Sequence, residues 1–162
     1  SMAISQLDAG KIRTQFLGLK NAVIDTSSII NIKKSHFLVD LQQQIKLHTI
    51  NEVFLEYGKS VTSIRTHSVN QAGQSTDQKV VMLAVNQSFP IISEDKGILL
   101  AAQRHQLEYY NAVMMLEFLI FKKSIDSEKY QSSFDLLKQH CRYSNGIWDY
   151  IEQLHYLLSG NV

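Results

Sequence analysis

The sequence predicts an α/β fold: a three-layer α/β/α sandwich around a central, mostly parallel sheet of four to five strands. Three observations carry this expectation. Short apolar runs ("AVI", "IKLHTI", "PIIS") alternate along the chain with stretches whose apolar residues recur at helical spacing. One proline and seven glycines interrupt 162 residues, so helices should dominate. The resulting order, strand, helix, strand, helix, helix, strand, helix, strand, is that of a parallel sheet covered on both faces. The length suits a single domain, 1–162, with its core at about 20–123 and a helical C-terminal extension at about 124–160.

Taken in order, "KNAVID" reads as a buried strand ending in an acid, followed by an amphipathic turn through Ile29, Ile30 and Ile32. "SHFLVDLQQQ" has helical spacing, with Ser35 placed as its N-cap. "IKLHTI" is a second strand, and "NEVFLEYGK" a helix capped by Asn51, for which Gly58 marks an end or a tolerated interior position. Residues 59–75 are polar and read as a frayed helix end and loop. "STDQKVVMLAVNQS" is a capped helix. "FPIIS" is a strand with Pro90 at its first position, where a missing N–H costs nothing. "EDKGILLAAQRHQ" is helical, "LEYYNA" a short strand, and the remainder three helices. The first of these, "VMMLEFLIF", is apolar nearly all round and reads as a core helix, with an association surface as the sharper alternative.

Composition narrows the function. A net charge of +1 excludes a uniformly basic surface, so any nucleic-acid contact must come from a local patch or from metal ions. The single Cys141 permits no internal disulfide and fits a reducing cytoplasm. The longest apolar run is interrupted by Glu117 and is too short to span a bilayer, so no membrane association is expected.

In open α/β sheets the working crevice lies outside the carboxyl ends of the strands. Asp25 directly follows "AVI", and Asp95 follows "PIIS". Glu56 lies about one and a half helical turns after "IKLHTI", and Asp77 opens the helix leading to "PIIS". Four carboxylates in one crevice require a counter-charge, which hard oxygen-seeking Mg²⁺ or Mn²⁺ supplies. Each acid also has a plain structural reading: Asp25, Asp77 and Asp95 stand where helix caps and first-turn acids are favoured, and Glu56 could be solvated beside Glu52. Capping does not require all of them to fall at the same edge of a sheet.

The motifs "VIDTSSIINI", "NEVFLEYGK", "STDQKVVMLAV" and "PIISEDKGILLAA" resemble, in order and spacing, the acidic motifs of PIN-domain proteins. These are metal-dependent ribonucleases, many of them toxins of VapBC-type toxin–antitoxin pairs. The likeness covers roughly Ala22 to Lys123, and the tail is similar to that of a PIN-related bacterial group with a helical extension. Asp25 with Thr26, Ser27, Ile29 and Ile30 matches the opening pattern. Glu56 matches the helical glutamate, with Glu52 competing for that role. Asp77 matches the acid heading an apolar helix, and Asp95 with Lys96 the late turn. Glu94 departs from the pattern, adding charge to the site or facing solvent.

The resemblance implies a Mg²⁺- or Mn²⁺-dependent endoribonuclease. In it Asp25, Glu56, Asp77 and Asp95 are both metal ligands and catalytic groups, acting through a metal-activated water. Secondary candidates for substrate contact are Thr26, Ser27, Lys59, Arg65 and Lys96, with Arg104 as a further cation and Tyr57, Tyr109 and Tyr110 as possible base-stacking groups. Thr26 and Ser27 are equally suited to helix capping. The expected partners are RNA, an antitoxin protein and a second copy in a homodimer. The alternative is a catalytically silent PIN-like module that binds RNA or protein. An aspartyl-nucleophile phosphatase ranks last, because Ser27 stands where that chemistry wants a second Asp.

Overall fold

The computed structural model describes residues 6–58, 61 and 63–160. Its centre is a five-stranded, all-parallel sheet in the order β3-β2-β1-β4-β5. The strands are β1 (Asn21–Ile24), β2 (Lys46–Ile50), β3 (Ile64–His67), β4 (Ile91–Ile92) and β5 (Tyr109–Tyr110). The helices are α1 (Gln6–Gly18), α2 (Thr26–Lys34), α3 (Leu38–Gln44), α4 (Asn51–Tyr57), α5 (Thr76–Gln87), α6 (Lys96–Arg104), α7 (Ala112–Phe121), α8 (Ser127–His140) and α9 (Asn145–Leu158). The α/β sandwich expected from the sequence is therefore present, with helices flanking the sheet. Among the described residues no helix is long and apolar enough to cross a membrane.

The central strand explains why the sequence folds this way. Ala22, Val23 and Ile24 are fully buried, as a parallel strand covered on both faces requires. Val23 pairs with His48 of β2 on one side and Ile91 of β4 on the other. Pro90 precedes β4, and its carbonyl accepts from the Val23 amide at 2.8 Å, so the residue lacking an N–H serves as an acceptor. Gly58 ends α4 in the left-handed conformation, φ 85°, which a residue with a Cβ adopts only under strain.

Several local expectations are corrected. Segment 59–75 contains β3, whose register against β2 runs from Leu47↔Ile64 to Ile50↔His67. Only Ile64 of that strand is buried, so an edge strand here needs one apolar anchor and shows no alternation in sequence. Ser35 does not cap α3. It ends α2, its amide bonding to the Asn31 carbonyl, while Phe37 takes the N-cap of α3 without a side-chain bond. Ile50, not Asn51, caps α4, and the Asn51 amide instead donates to the Ser68 hydroxyl at 3.1 Å. The polar N-terminal segment forms α1, and its Phe16 is fully buried against Tyr110 (5.7 Å), Phe118 (5.4 Å) and Phe121 (5.9 Å). That side chain alone contributes about 2–3 kcal/mol of apolar burial.

α7 is a core helix: Val113, Met115, Leu116, Phe118 and Leu119 are buried. Helices α8 and α9 lie on it, and α9 also contacts α1. The C-terminal hairpin therefore closes the core around α7.

Candidate active site

Asp25 ends β1 and caps α2 at once. Its extended backbone (φ −97°, ψ 163°) lets Oδ1 accept from the Thr26 amide at 2.8 Å, while Oδ2 accepts from the Ser93 hydroxyl at 3.1 Å. The capping and strand-end readings of this residue are both true. Asp25 is 6% exposed. Burial pushes its carboxyl above the ordinary carboxylate range, the Thr26 and Ser93 donors pull it back, and the charges of Asp77 and Glu56 push it up again.

Asp77 stands in the first turn of α5, and burial followed by the charges of Asp95 and Glu56 raises its carboxyl as well. Asp95 caps α6, its Oδ1 accepting from the Ile98 amide at 2.9 Å. Glu56, on α4, accepts at 3.0 Å from the Thr26 hydroxyl. Acids from four helices that start at the carboxyl ends of β1, β2, β3 and β4 thus lie in one another's electrostatic field. The ion pairs formed among the described residues are Glu52–Lys79, Asp40–Lys129 and Glu117–His155, and all four acids stand outside them. Glu52, the rival for the helical position, is held by Lys79 at 2.7 Å, which lowers its carboxyl.

The convergence stops short of a ready-made cage. Among the described residues no three acidic, histidine or cysteine side chains are placed to touch one ion together. Asp25 is fixed by its donors, whereas Glu56, Asp77 and Asp95 are exposed. The donor chemistry suits a hard divalent cation: four carboxylates, two of them raised partly by their neighbours' charge.

The secondary candidates divide. Thr26 joins Asp25 to Glu56. The Ser27 hydroxyl is buried and has no hydrogen-bond partner. Lys96 opens α6 beside Asp95 and is exposed. Arg65 pairs with His48 in the body of β3, away from the strand's carboxyl end, and Arg104 closes α6 about 13 Å along the helix from Asp95. Lys59 lies outside the described residues. Tyr110 is buried, Tyr57 is half-buried, and Tyr109 is 40% exposed. His48 and His67 bond each other at 2.9 Å, and His48 also bonds Asn21 at 2.9 Å, a structural use.

Sequence reasoning missed the role of the triplet after β4. Ser93 is fully buried; its hydroxyl donates to Asp25 and accepts from the Asp95 amide at 3.0 Å, tying two of the acids together. Glu94 does not face solvent. It accepts from the Ser28 and Tyr143 hydroxyls and from the Ala112 amide at 3.2 Å, joining α2, α7 and the link between α8 and α9. Burial and the Glu94 charge raise the Tyr143 phenol. A serine ending a buried strand is a signal that could have been read for Ser93; nothing near Glu94 in sequence announces its three partners.

None of the four acids lines the cavity of about 690 Å³ that runs beside β5 between α1 and α9. None of the family models, curated proteins or solved structures with which the chain was compared matches it.

Proposed function

We propose that this chain is a PIN-like, Mg²⁺- or Mn²⁺-dependent endoribonuclease. The observation that carries the reading is the chain of mutually repelling carboxylates, Asp25–Glu56–Asp77–Asp95, at the carboxyl edge of a parallel sheet without an ion-pair partner among the described residues. A divalent cation bound there would offset the charge of a phosphodiester and activate water for its hydrolysis. Asp25, oriented by Thr26 and Ser93, would be the fixed ligand, and the exposed Glu56, Asp77 and Asp95 would supply the remaining carboxylates. The Thr26 hydroxyl holds Glu56 near Asp25. Lys96 offers a positive charge to the RNA backbone at the start of α6.

A second reading has its own support. Asp25 and Asp95 already spend carboxylate oxygens on helix caps, which suits a silent RNA- or protein-binding module of the same fold. The deciding experiment incubates total RNA with the protein and Mn²⁺, comparing wild type, Asp25→Asn and Asp95→Asn with an EDTA control. Cleavage that EDTA and both substitutions abolish supports the nuclease. Cleavage that survives both substitutions removes it, and a wild type inert with Mn²⁺ favours the silent module.

A further inference from the structure

Two of the four acids depend on one short turn. The Ser93 hydroxyl donates to Asp25 and accepts from the Asp95 amide, so wherever Ser93 stands both carboxylates follow. β4, which carries this turn, is only two residues long, and the Ser93 amide reaches β5 by a single bond to the Tyr110 carbonyl at 3.0 Å. Beyond that bond the turn is gripped through the Glu94 side chain. Its Oε2 accepts from the Ser28 hydroxyl, its Oε1 from the Tyr143 hydroxyl, and both oxygens from the Ala112 amide at 3.2 Å. Hydrogen bonds to an ionised acceptor are stronger than neutral ones. The three donors belong to three different parts of the fold. Ser28 stands on α2, the helix that Asp25 caps. Ala112 opens α7, where the unsatisfied amides of a helix start favour negative charge. Tyr143 comes from the link between α8 and α9, its ring set edge to face against Trp148, centroids 5.2 Å apart.

We propose that Glu94 is the positioning residue of the acid cluster, and that the C-terminal hairpin acts on the cluster through the Tyr143 hydroxyl. The proposal rests on the metal-dependent reading of the four acids. Both Glu94 oxygens are engaged by donors, so its service to an ion is indirect: it keeps the Ser93–Asp95 turn at a fixed distance from Asp25. Orienting partners of this kind govern metal affinity by about 10- to 100-fold. The hairpin offers an internal control, because Tyr130 gives its hydroxyl to Glu117, whose charge is not among those bearing on Asp25 or Asp77.

The test measures Mn²⁺ affinity of the full chain by isothermal titration calorimetry, beside the Mn²⁺ concentration giving half-maximal RNA cleavage. Tyr143→Phe and Ser28→Ala leave every charge in place, so a loss of affinity cannot come from a weaker field. Each should weaken Mn²⁺ binding about threefold, as loss of one hydrogen bond does, and raise the cleavage midpoint equally, with cleavage restored at saturating Mn²⁺. Glu94→Ala should weaken binding about tenfold. Adding Tyr143→Phe to it should change nothing further, because Tyr143 acts through Glu94. Tyr130→Phe should lower the melting temperature without moving either Mn²⁺ value. Wild-type affinity in Tyr143→Phe, or a loss no larger than in Tyr130→Phe, would overturn the proposal and leave the ribonuclease reading intact. So would an undiminished effect of Tyr143→Phe in the Glu94→Ala background. A wild type that neither binds Mn²⁺ nor cleaves RNA removes the ribonuclease reading and this inference with it.

Discussion

Asp25 and Glu117 are both carboxylates buried in this fold, and the protein treats them in opposite ways. Glu117, on α7, is fully buried; it accepts from the Tyr130 hydroxyl at 2.5 Å and bonds His155 Nδ1 at 2.8 Å, so its charge is answered by a hydroxyl and a titratable base. Asp25 has an amide and a hydroxyl, but the charged groups bearing on it are other acids. An acid that is paired as well as hydrogen-bonded has the cost of its burial offset by its partners, and removing one of the set is destabilising. An acid that is hydrogen-bonded yet surrounded by like charge is held in place at a standing electrostatic cost, which a bound cation can remove. The contrast separates a carboxylate whose charge is answered by its partners from one that its charged neighbours repel, without appeal to sequence likeness.

The largest expected effect breaks the Asp25 half of the comparison. Asp25→Asn should lower RNA cleavage by more than about 100-fold while raising the melting temperature of the metal-free protein, because it removes a buried charge that its neighbours repel. It should also abolish the melting-temperature rise that Mn²⁺ gives the wild type, as read by thermal denaturation with and without the ion. Ser93→Ala loosens Asp25 without removing it and should cost roughly 10- to 100-fold in cleavage or metal affinity, as loss of a ligand's orienting partner does elsewhere. Glu117→Ala should do the reverse of Asp25→Asn. It strips the Tyr130 hydroxyl and His155 of their shared partner, costing about 3 kcal/mol, roughly 8 °C in melting temperature, with cleavage by the remaining folded protein unchanged.

The smallest effect sharpens the comparison through pH. The hydrogen bond to Glu117 raises His155 above its ordinary 6.5, more than burial lowers it. The native state therefore holds that proton more tightly than the unfolded chain. Its stabilisation is complete below pH 6.5 and is lost as pH climbs through the raised native value. Asp25 is raised above 3.8, so the native state binds the extra proton there too, and the penalty of its charge is absent below pH 3.8 and complete above its native value. Both contributions fall with rising pH, that of Asp25 starting at pH 3.8 and that of His155 at pH 6.5. In melting curves across pH, Asp25→Asn should flatten the fall that starts at pH 3.8 and His155→Gln the one that starts at pH 6.5.

How much of this was readable in the sequence follows the range of the interactions. Asp25 was legible as both cap and strand end because its neighbours in sequence, Val23, Ile24 and Thr26, decide both roles. The parallel sheet was legible from buried runs such as Ala22–Ile24, which need no partner to be recognised. β3 was not, since an edge strand with Arg65 and Thr66 exposed carries one buried apolar residue and no pattern. α1 was passed over because its burial rests on Ala9, Ile12 and Phe16, spread among polar residues. The linkages of Glu94 and Glu117 were out of reach altogether: their partners lie at Ser28, Ala112 and Tyr143, and at Tyr130 and His155, and only the fold brings them together.

The rings of the C-terminal hairpin form a single file. His155 stacks on Tyr130 at 4.7 Å, Tyr130 on Phe134 at 5.7 Å, Phe134 abuts Trp148 at 5.5 Å, and Trp148 abuts Tyr143 at 5.2 Å. One end of the file is anchored on Glu117 and the other on Glu94, the residue next to Asp95. A chain severed after Lys123 would keep every acid of the sheet edge and still lose the hydroxyl that steadies the turn bearing the last of them. The tail is thus a brace whose foot rests beside the proposed chemistry.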